Sequence, residues 1–356
     1  MEYMSAKEAA EKWGISQRRV AVLCSEKRIK DATMIGNMWI IPSKADKPAD
    51  ARQLRYSRVD GKEVKPFLKW AGGKGQLISE IEKYYPFDNG KITRYVEPFV
   101  GGGAVLFDIL NKYELEDIYI NDINAELINT YRVIGSYVDD LIEYLYKLQN
   151  DFIPLDTEHR KVFFLNKRNR FNELIINEDV NFNLEKAALM IFLNKTCFNG
   201  LYRVNKKGLF NVPMGSYKKP IICDENNLRT VSLKLNNVKI TCGDYKELAN
   251  IIDKNTFAYF DPPYRPLNKT SSFTAYSGTT FDDKNQTELA EFISSMNSKK
   301  AKIVISNSDP KNTDKDDNFF DNLYQSFSIK RIDATRMINS NSSGRGKIKE
   351  LIISNF

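Results

Sequence analysis

The stretch RYVEPFVGGGAVLF occupies residues 94–107, where a short apolar run passes through three glycines into a helix-like apolar run. Glycines let the backbone come close to a ligand, and the amides at the start of a following helix point toward it. A GGG turn alone is weak evidence, because any tight strand-to-helix connection can use one. The GxGxxG order of dinucleotide-binding proteins is absent. The stretch therefore predicts a strand, a ligand-facing turn and a helix without naming the ligand.

Four more short apolar runs mostly end at polar or glycine residues: DIYIND (117–122), VKITCGD (238–244), FAYFDPPY (257–264) and KIVISN (302–307). Helix-like segments separate several of them, which is typical of an α/β fold. Ligands of open α/β sheets bind at the carboxyl ends of the strands, so the polar residues ending these runs should converge on one crevice. Residues 265–285, rich in Ser, Thr and Asn, are predicted to form a mobile loop beside it.

Length and composition limit the class of protein. The 356 residues suggest about two domains, and 42% hydrophobic with 28% charged residues is ordinary for a soluble globular chain. No run approaches the roughly 18 apolar residues of a membrane span. Four scattered cysteines without a CxxC pair, and a single histidine, argue against a disulfide framework, a zinc site and a histidine-based triad. We therefore predict a cytoplasmic protein without a resident metal and without a membrane partner.

The positive charge is concentrated at the N-terminus. Residues 1–58 carry 12 basic and 7 acidic side chains, so they supply +5 of the formal net charge of +7. A small basic head on a nearly neutral body favours a polyanionic partner.

The head has the pattern of two short helices. Ser5 with Glu8 fits a capping box, and Gly14 supplies a C-terminal stop. A second helix is expected to start after Ser16, which would cap it.

The rest of the head resembles a winged helix-turn-helix. In the second helix Val20 and Leu23 would face inward, and MIGNMWII (34–41) is typical of a β-hairpin wing. The spacing is similar to the small heads of excisionase and MerR-type regulators, in which the second helix could enter a major groove. The side chains that would then face DNA near its N-terminus are Gln17, Arg18 and Arg19. The alternative is a protein-contact domain with a solvated basic face.

Two motifs nearer the centre of the chain place single charged residues beside the predicted crevice. In IYINDIN (118–124), Asp122 follows a strand and could accept hydrogen bonds from ribose hydroxyls, although a helix N-cap is a common alternative. In LKWAGGKGQL (68–77), Lys74 follows glycines but lacks the Walker A order. This lysine could instead hold a ligand carboxylate, with Trp70 packing alongside.

The stretch YFDPPYRPL (259–267) suggests a reaction. Asp261 at a strand end can accept a hydrogen bond from an amino group, and the consecutive prolines fix the backbone so that a carbonyl points into the site. Tyr264 offers a ring for stacking on a planar base. Two acceptors on a conjugated amino group would free its lone pair, so the order suits methyl transfer to such a group. A Pro-Pro turn after a buried strand is the alternative if the motif stands alone.

The motif does not stand alone. The segments FLKWAGGK, EPFVGGGAVLF, NDIN, LNKTCFNGLYRVNKKGLFNVPMGSYKKP and DPPY occur in this order. From about Lys65 to Phe356 the chain resembles the D12-class, Dam-like adenine-N6 DNA methyltransferases. Four short motifs, with the long LNKT…YKKP stretch between NDIN and DPPY, in the order of one family are far more specific than any one of them.

The resemblance implies S-adenosylmethionine as the cofactor, direct methyl transfer and no need for a metal. The catalytic loop around a flipped adenine would be Asp261, Pro262, Pro263 and Tyr264. In CGDY, Asp244 would bond the cofactor's adenine amino group and Tyr245 would lie against its ring. The full implied cofactor set is Trp70, Lys74, Glu97, Pro98, Phe99, Gly101, Gly102, Gly103, Asp122, Asn124, Asp244, Tyr245 and Asp261.

The resemblance also implies a DNA-reading hairpin. Arg203 would read a guanine through O6 and N7, and Lys69 would read the first guanine of the site. Phe198 would wedge into the base stack, while Asn199 would stabilise the opened duplex. The remaining contacts would be Leu201 and Pro213 to base edges, Asn205, Asn211, Tyr217 and Lys218 on the phosphate side, and more weakly Arg168 and Arg345.

These matches predict GATC as the recognition sequence in double-stranded DNA, with the adenine flipped from the duplex. Several relatives carry tyrosine where this chain has Phe198, so a ring is kept while a hydroxyl is lost. The head is the larger departure, since minimal members of the family lack it. A cognate restriction endonuclease is a possible partner, as in restriction-modification systems.

We predict a Rossmann-like methyltransferase sheet with an insertion and a small head. The predicted boundaries are a helix-turn-helix head at 1–43, a linker at 44–63, a catalytic domain at 64–144 and 237–356, and a mainly helical target-recognition domain with a β-hairpin at 145–236. Alternatives are a cytosine-N4 methyltransferase, a protein or RNA methyltransferase, and a DNA-binding regulator with an inactive methyltransferase body. The intact Lys74, Asp122 and Asp261 argue against the regulator.

Overall fold

The computed structural model describes residues 3–15, 17–25, 29–36, 38–45, 47, 63–70, 72–88, 90–176, 183–265, 281–335 and 347–356. The predicted Ser16 cap, Arg345, most of the predicted linker and residues 266–280 of the predicted loop lie outside these ranges.

The head contains two helices and a small antiparallel sheet of order β1-β3-β2: β1 (Tyr3–Ser5), α1 (Ala6–Trp13), α2 (Gln17–Ser25), β2 (Thr33–Ile35) and β3 (Met38–Pro42). The predicted capping box of Ser5 and Glu8 is confirmed, as is the left-handed C-cap at Gly14, where φ is 63°. Val20 and Leu23 are buried as predicted. A DNA-binding role for this head stays a prediction.

The body is built on one sheet. Its strands are β4 (Arg94–Glu97), β5 (Asp117–Asp122), β6 (Val238–Cys242), β7 (Thr256–Phe260), β8 (Lys302–Ser308), β9 (Ser328–Thr335) and β10 (Lys347–Ser354). The order is β6-β5-β4-β7-β8-β10-β9; the first five strands run parallel, and β10 pairs antiparallel with β8 and β9. The predicted α/β fold is confirmed, and its central sheet is mostly parallel. Strands β9 and β10 were not predicted from the sequence.

Helices cover both faces of this sheet, because successive side chains of a buried strand point to opposite sides. Phe257 and Tyr259 belong to one core, whereas Ala258 and Phe260 belong to the other. The helices of the body are α3 (Ile78–Ile81), α4 (Ala104–Lys112), α5 (Ala125–Phe152), α6 (Thr157–Ile176), α7 (Leu184–Thr196), α8 (Glu225–Lys234), α9 (Asp283–Ser298) and α10 (Phe319–Leu323). Short 3-10 turns lie at Lys74–Gln76, Glu82–Tyr84, Phe198–Gly200, Leu235–Asn237, Tyr245–Asn250 and Pro310–Asn312.

Two predicted boundaries fall within helices of the structure. Helix α5 runs through the predicted boundary between residues 144 and 145, with non-helical dihedral angles at Tyr137 (φ −134°, ψ 36°). The predicted loop 265–285 ends earlier, because Asp282 caps α9 through a capping box with Asn285. In the described part of the chain, no helix is both long and apolar enough to cross a membrane.

Candidate active site and DNA-facing surface

The carboxyl ends of four adjacent parallel strands meet at one edge of the sheet. The glycine turn follows β4, Asp122 ends β5, Asp244 follows β6 and Asp261 follows β7. The Asp122 carboxylate accepts hydrogen bonds from the amides of Gly101 and Asn124, each at 3.0 Å. Burial raises the pKa of Asp122, and these amides oppose that shift. The sheet therefore brings together acids that are far apart in sequence.

Trp70 fills the space that the glycine turn leaves open. A Cβ built on Gly101 would lie 2.9 Å from the Trp70 indole nitrogen, and one on Gly102 would lie 2.8 Å from Trp70 Cβ. Gly101 (φ 47°) and Gly103 (φ 72°) also lie in the left-handed region, which disfavours side chains. Both glycines beside Trp70 thus permit close packing of the indole, as well as any approach of a ligand.

An ion pair lies where the β7 end meets the Lys74 turn. Lys74 Nζ is 2.7 Å from Asp261 Oδ1, and these side chains are 4% and 21% exposed. Lys74 Nζ also donates to the Gly72 carbonyl at 2.8 Å and lies 4.7 Å from the centre of the Tyr264 ring. Burial raises the pKa of Asp261 to about 6, although the Lys74 ammonium opposes the shift. A mostly buried carboxylate, a cation and an aromatic ring therefore share one point of the crevice.

The loop after β7 is held from behind by buried polar side chains. Gln286 Nε2 on α9 donates to the Pro263 carbonyl at 3.0 Å, and Asn307 Nδ2 donates to Gln286 Oε1 at 3.2 Å. The Tyr264 hydroxyl donates to Glu350 on β10 at 2.5 Å. These contacts fix the orientation of the loop. None of these contacts was predicted from the sequence, although a glutamine on the apolar helix face shared with Leu289, Ile293 and Met296 was a usable signal.

The residues expected near a cofactor adenine are only partly free to contact one. Asp244 is exposed, and its Oδ1 accepts a hydrogen bond from the Lys246 amide at 2.8 Å. Tyr245 is buried and packs 5.3 Å from the Phe99 ring. Ile123, which the sequence analysis did not single out, exposes 57% of its surface directly after Asp122. The apolar surface available for stacking at this point is therefore that of Ile123 more than that of Tyr245.

Three residues of the implied cofactor set make contacts inside the fold. The Tyr95 hydroxyl donates to Glu97 at 2.8 Å, and burial raises the pKa of Glu97 well above its usual range. The Pro98 carbonyl accepts from Asn121 Nδ2 at 3.2 Å. Asn124 caps α5 by accepting from the Leu127 amide at 2.9 Å. Each of these contacts shapes the strand ends.

The segment from 197 to 218 forms a surface next to Lys69 and Trp70. The Trp70 and Tyr202 rings stack with centroids 5.6 Å apart at 20°. Lys69 Nζ reaches the Tyr217 hydroxyl at 3.2 Å. An isolated antiparallel bridge joins Val204 and Phe210, which makes a short hairpin. The structure therefore places Lys69 beside this hairpin segment.

Arg203 is already oriented by a neighbour. Its Nε donates to Asn211 Oδ1 at 2.7 Å, and its Nη2 lies 3.4 Å from the Asn211 carbonyl. Asn205 folds back on the hairpin turn, because its Oδ1 accepts from the amides of Lys207 and Leu209. Asn211 thus holds a guanidinium, a contact that differs from the phosphate-side contact implied by the resemblance.

The turn before the hairpin presents an aromatic ring to solvent. Phe198 is 51% exposed, and its amide donates to the carbonyl of Pro213, which is also exposed. Asn199 is exposed in the left-handed region with φ 55°, and Leu201 is half-buried. Lys218 is exposed and Arg168 half-buried. Phe198, Asn199 and Pro213 therefore lie together on one protruding surface.

In the head, Arg18 donates to Glu143 of α5 at 2.7 Å, and both side chains are more than half exposed. The side chain of Arg19 lies outside the described part of the structure. Within the described ranges, no group of three or more His, Cys, Asp or Glu side chains is arranged to hold a metal ion.

Comparison with known proteins shows the family in which this chain, with its strand-end acids and exposed hairpin segment, belongs. Residues 70–338 match the family described as D12 class N6 adenine-specific DNA methyltransferase. The chain belongs to this family. It is an adenine-specific DNA methyltransferase.

Named relatives agree with this assignment. The methyltransferase is 50% identical to the type II methyltransferase M.MjaIII of Methanocaldococcus jannaschii over 297 residues, which are 83% of this chain and 100% of that protein. It is 37% identical to the type II methyltransferase M1.LlaDCHI of Lactococcus lactis subsp. cremoris, covering 82% and 96%. It is 36% identical to the DNA adenine methylase of Haemophilus influenzae, covering 81% and 92%. The family match begins at residue 70, so the head of this methyltransferase lies outside it.

Proposed function

We propose that this methyltransferase transfers a methyl group from S-adenosylmethionine to N6 of an adenine flipped out of duplex DNA, within GATC. The observation that carries the proposal is the Lys74–Asp261 ion pair of 2.7 Å at the end of β7. It lies beside two prolines and the Tyr264 ring, at the edge where the glycine turn and Asp122 also meet.

The proposed chemistry follows from the loop after β7. Asp261 would accept one hydrogen of the adenine amino group, and a backbone carbonyl would accept the other, which leaves the nitrogen lone pair free to attack. The Pro263 carbonyl is already bonded to Gln286, so the Pro262 carbonyl is the better candidate for the second acceptor. Tyr264 would stack on the flipped base. The bound cofactor supplies an electrophilic methyl group on a sulfonium.

Residues at the neighbouring strand ends fit such a cofactor. A carboxylate offers about four acceptor positions, and backbone amides, including those of Gly101 and Asn124, occupy some of those on Asp122. The remaining acceptor capacity suits a ribose hydroxyl. Asp244 is exposed and retains capacity for an adenine amino group, while Ile123 offers an apolar surface for the ring. Lys74 and Trp70 would line the same pocket.

Recognition of guanine is supported by the orientation of Arg203. Its Nε donates to the Asn211 side chain and one Nη2 hydrogen to the Asn211 carbonyl, so Nη1 and the other Nη2 hydrogen would donate to O6 and N7 of a guanine. Lys69 is exposed beside Tyr217 and would read the first guanine. Phe198 would enter the base stack, next to Leu201 and Pro213. A relative is named DNA adenine methylase. We propose GATC as the sequence that this methyltransferase recognises.

The head adds a second proposed DNA contact through Gln17, Arg18 and Arg19. The Arg18–Glu143 ion pair is exposed, and exposed pairs contribute little, so Arg18 can exchange Glu143 for a phosphate. Arg18→Ala should weaken duplex binding equally for all sequences and reduce the salt dependence of binding by about one phosphate contact. A cognate restriction endonuclease and a cytoplasmic location stay predictions.

The experiment that tests the proposal measures labelled methyl transfer from S-adenosylmethionine to three short duplexes at fixed salt. One contains GATC, one has the same composition scrambled, and one has GATC methylated at N6 on both strands. Label in the first duplex alone is the expected result. Label in both unmethylated duplexes would refute GATC recognition but keep the cofactor. No label anywhere, with the cofactor shown to bind, would favour a DNA-binding regulator instead.

A further inference from the structure

A single buried side chain joins the Lys69 segment to the turn that carries Phe198. Asn194 lies in α7, where nearly all side chains are buried, and it is itself 4% exposed. Its Oδ1 accepts from the Lys69 amide at 2.8 Å, and its Nδ2 donates to the Lys69 carbonyl at 2.7 Å and the Gly200 carbonyl at 2.8 Å. Both donor hydrogens of the amide, and one of its acceptor positions, are therefore used in linking two backbone segments.

The same two segments are in direct contact. Gly200 has φ 63°, and a Cβ built on it would lie 2.6 Å from both Cβ and Cδ of Lys69. The aliphatic stem of Lys69 thus rests on the backbone of the turn, and only its ammonium extends to Tyr217. The Lys69 stem therefore runs across this turn, and the Asn194 amide holds the Lys69 backbone from which the stem starts.

Arg203 is held by different contacts. Asn211 orients its guanidinium, and Asn172 clamps the opposite side of the hairpin by bonding both the amide and the carbonyl of Phe210, at 2.8 and 3.1 Å. None of these contacts involves Asn194. The Lys69 side of the surface and the Arg203 side are consequently set by separate amides.

We infer that Asn194 is a positioning residue for sequence discrimination: it aligns Lys69 with the Phe198–Leu201 turn, so that the first base pair of the recognition sequence is read in register with the flipped adenine. This inference rests on the proposed roles of Lys69 and Phe198. Asn194 itself would touch neither DNA nor cofactor, because it is buried behind both backbone segments.

Selective loss of discrimination is the expected consequence of removing the amide. Asn194→Ala should leave the Lys69 backbone free to shift, and the preference for G·C at the first base pair should fall by about tenfold, within the usual range for one base contact. The preference at the fourth pair, which carries the other guanine, should change less than about threefold since Arg203 is held separately.

The test uses duplexes whose second strand is already methylated at its adenine, so that only one strand accepts label. kcat/KM is measured for GATC and for duplexes with the first or the fourth base pair replaced. Asn129→Ala is the matched control, because Asn129 is also buried and clamps a backbone amide and carbonyl, those of Asn183, at 2.8 and 3.0 Å. Lys69→Ala is the reference for loss of reading at the first pair.

Lys69→Ala and Asn194→Ala are expected to lose discrimination at the first base pair. Asn129→Ala is expected to keep discrimination at both pairs. If Asn194→Ala does not fold, Asn194→Asp keeps the shape and the acceptor but loses both donors, and it should show the same selective loss. Unchanged discrimination in a folded Asn194 variant, while Lys69→Ala loses it, would overturn this inference alone. If the wild type shows no preference for G·C at the first pair, or if Lys69→Ala keeps that preference, the proposed recognition is wrong and this inference falls with it.

Discussion

The proposed catalytic loop, residues 261–264, and the proposed recognition segment, residues 197–218, are fixed in different ways. The catalytic loop continues a fully buried central strand and is pinned by Gln286 and Glu350 from other elements of the sheet domain. The recognition segment has one short 3-10 turn and two isolated bridges, and side chains such as Asn194 clamp its backbone. If the proposed roles hold, the methyl-transfer chemistry is tied to the core of the fold, and the reading of the DNA sequence depends on a few side-chain contacts.

The strongest test of this division is Asp261→Ala. The variant should lose methyl transfer by about a thousandfold or more, because the amino group would lack its side-chain acceptor. Duplex binding, which depends on the other segment, should stay within about threefold of the wild type. Single-turnover transfer and a binding titration on the same duplex measure the two effects. Full activity of the variant would show that Asp261 is not the acceptor.

Breaking the recognition segment should have a smaller effect on rate and a larger one on specificity. Arg203→Ala should lower kcat/KM on GATC by about 10- to 100-fold and relax the preference for guanine, since a bidentate base contact contributes about 1–3 kcal/mol. Asn211→Ala leaves the guanidinium present but unoriented, so this variant should lose less of kcat/KM and less of the preference for guanine than Arg203→Ala does. The double variant should be no worse than Arg203→Ala alone, because the two side chains act as one unit.

A matched control is Lys207→Ala, whose exposed side chain lies in the same hairpin turn. It should leave the ratio of rates on guanine-containing and substituted duplexes unchanged. Equal loss of specificity in this control would indicate general disruption of the hairpin.

The dependence on pH should distinguish the catalytic loop from the recognition segment, because only the rate of methyl transfer should depend on the protonation of Asp261. The pKa of Asp261 is raised from 3.8 to about 6, so the free protein binds a proton there at pH 5. The charged carboxylate accepts the amino hydrogen much more strongly than the protonated acid does, so kcat/KM should fall by up to about tenfold per pH unit below pH 6. The ratio of rates on GATC and on substituted duplexes should stay constant. An acid limb near pH 4, or one that persists in the residual activity of Asp261→Asn, would assign the titration to another group.

The smallest expected effect concerns the support behind the catalytic loop. Gln286→Ala removes one buried hydrogen bond to the Pro263 carbonyl, so kcat should fall by about fivefold, which corresponds to roughly 1 kcal/mol. The cofactor KM and base discrimination should be unchanged. Gln149→Ala is the control, because Gln149 also bonds backbone amides, those of Ile222 and Cys223, but on the recognition side. An equal fall in kcat in both variants would mean that the effect is one of overall stability.

Several parts of the fold were predictable because their signals are local. The apolar runs that form β4 to β8, the capping box at Ser5 and the left-handed Gly14 each depend on residues within a few positions of one another. The strands β9 and β10 were missed for a physical reason. Each carries three charged residues in eight, as in SIKRIDAT and KIKELIIS. β9 is the edge strand of the sheet and the charged start of β10 pairs with it, so both strands tolerate charged side chains near a solvated edge.

The sequence by itself determined the family and the chemical groups at the strand ends. Four motifs kept their order, and a strand followed by Asp261, two prolines and Tyr264 places its acceptor and ring within four residues. A polar residue directly after a buried parallel strand reaches the functional edge whatever the rest of the chain does.

Only the tertiary structure decided which residues orient these groups. Asn194 bonds Lys69 across 125 positions, Gln286 bonds Pro263 across 23, and Tyr264 bonds Glu350 across 86. Such contacts leave no local pattern, because the side chains involved must satisfy buried backbone or hydroxyl groups that come together only when the helices pack on the sheet. Short sequence motifs therefore supply the chemical groups of the proposed site, and long-range hydrogen bonds orient these groups.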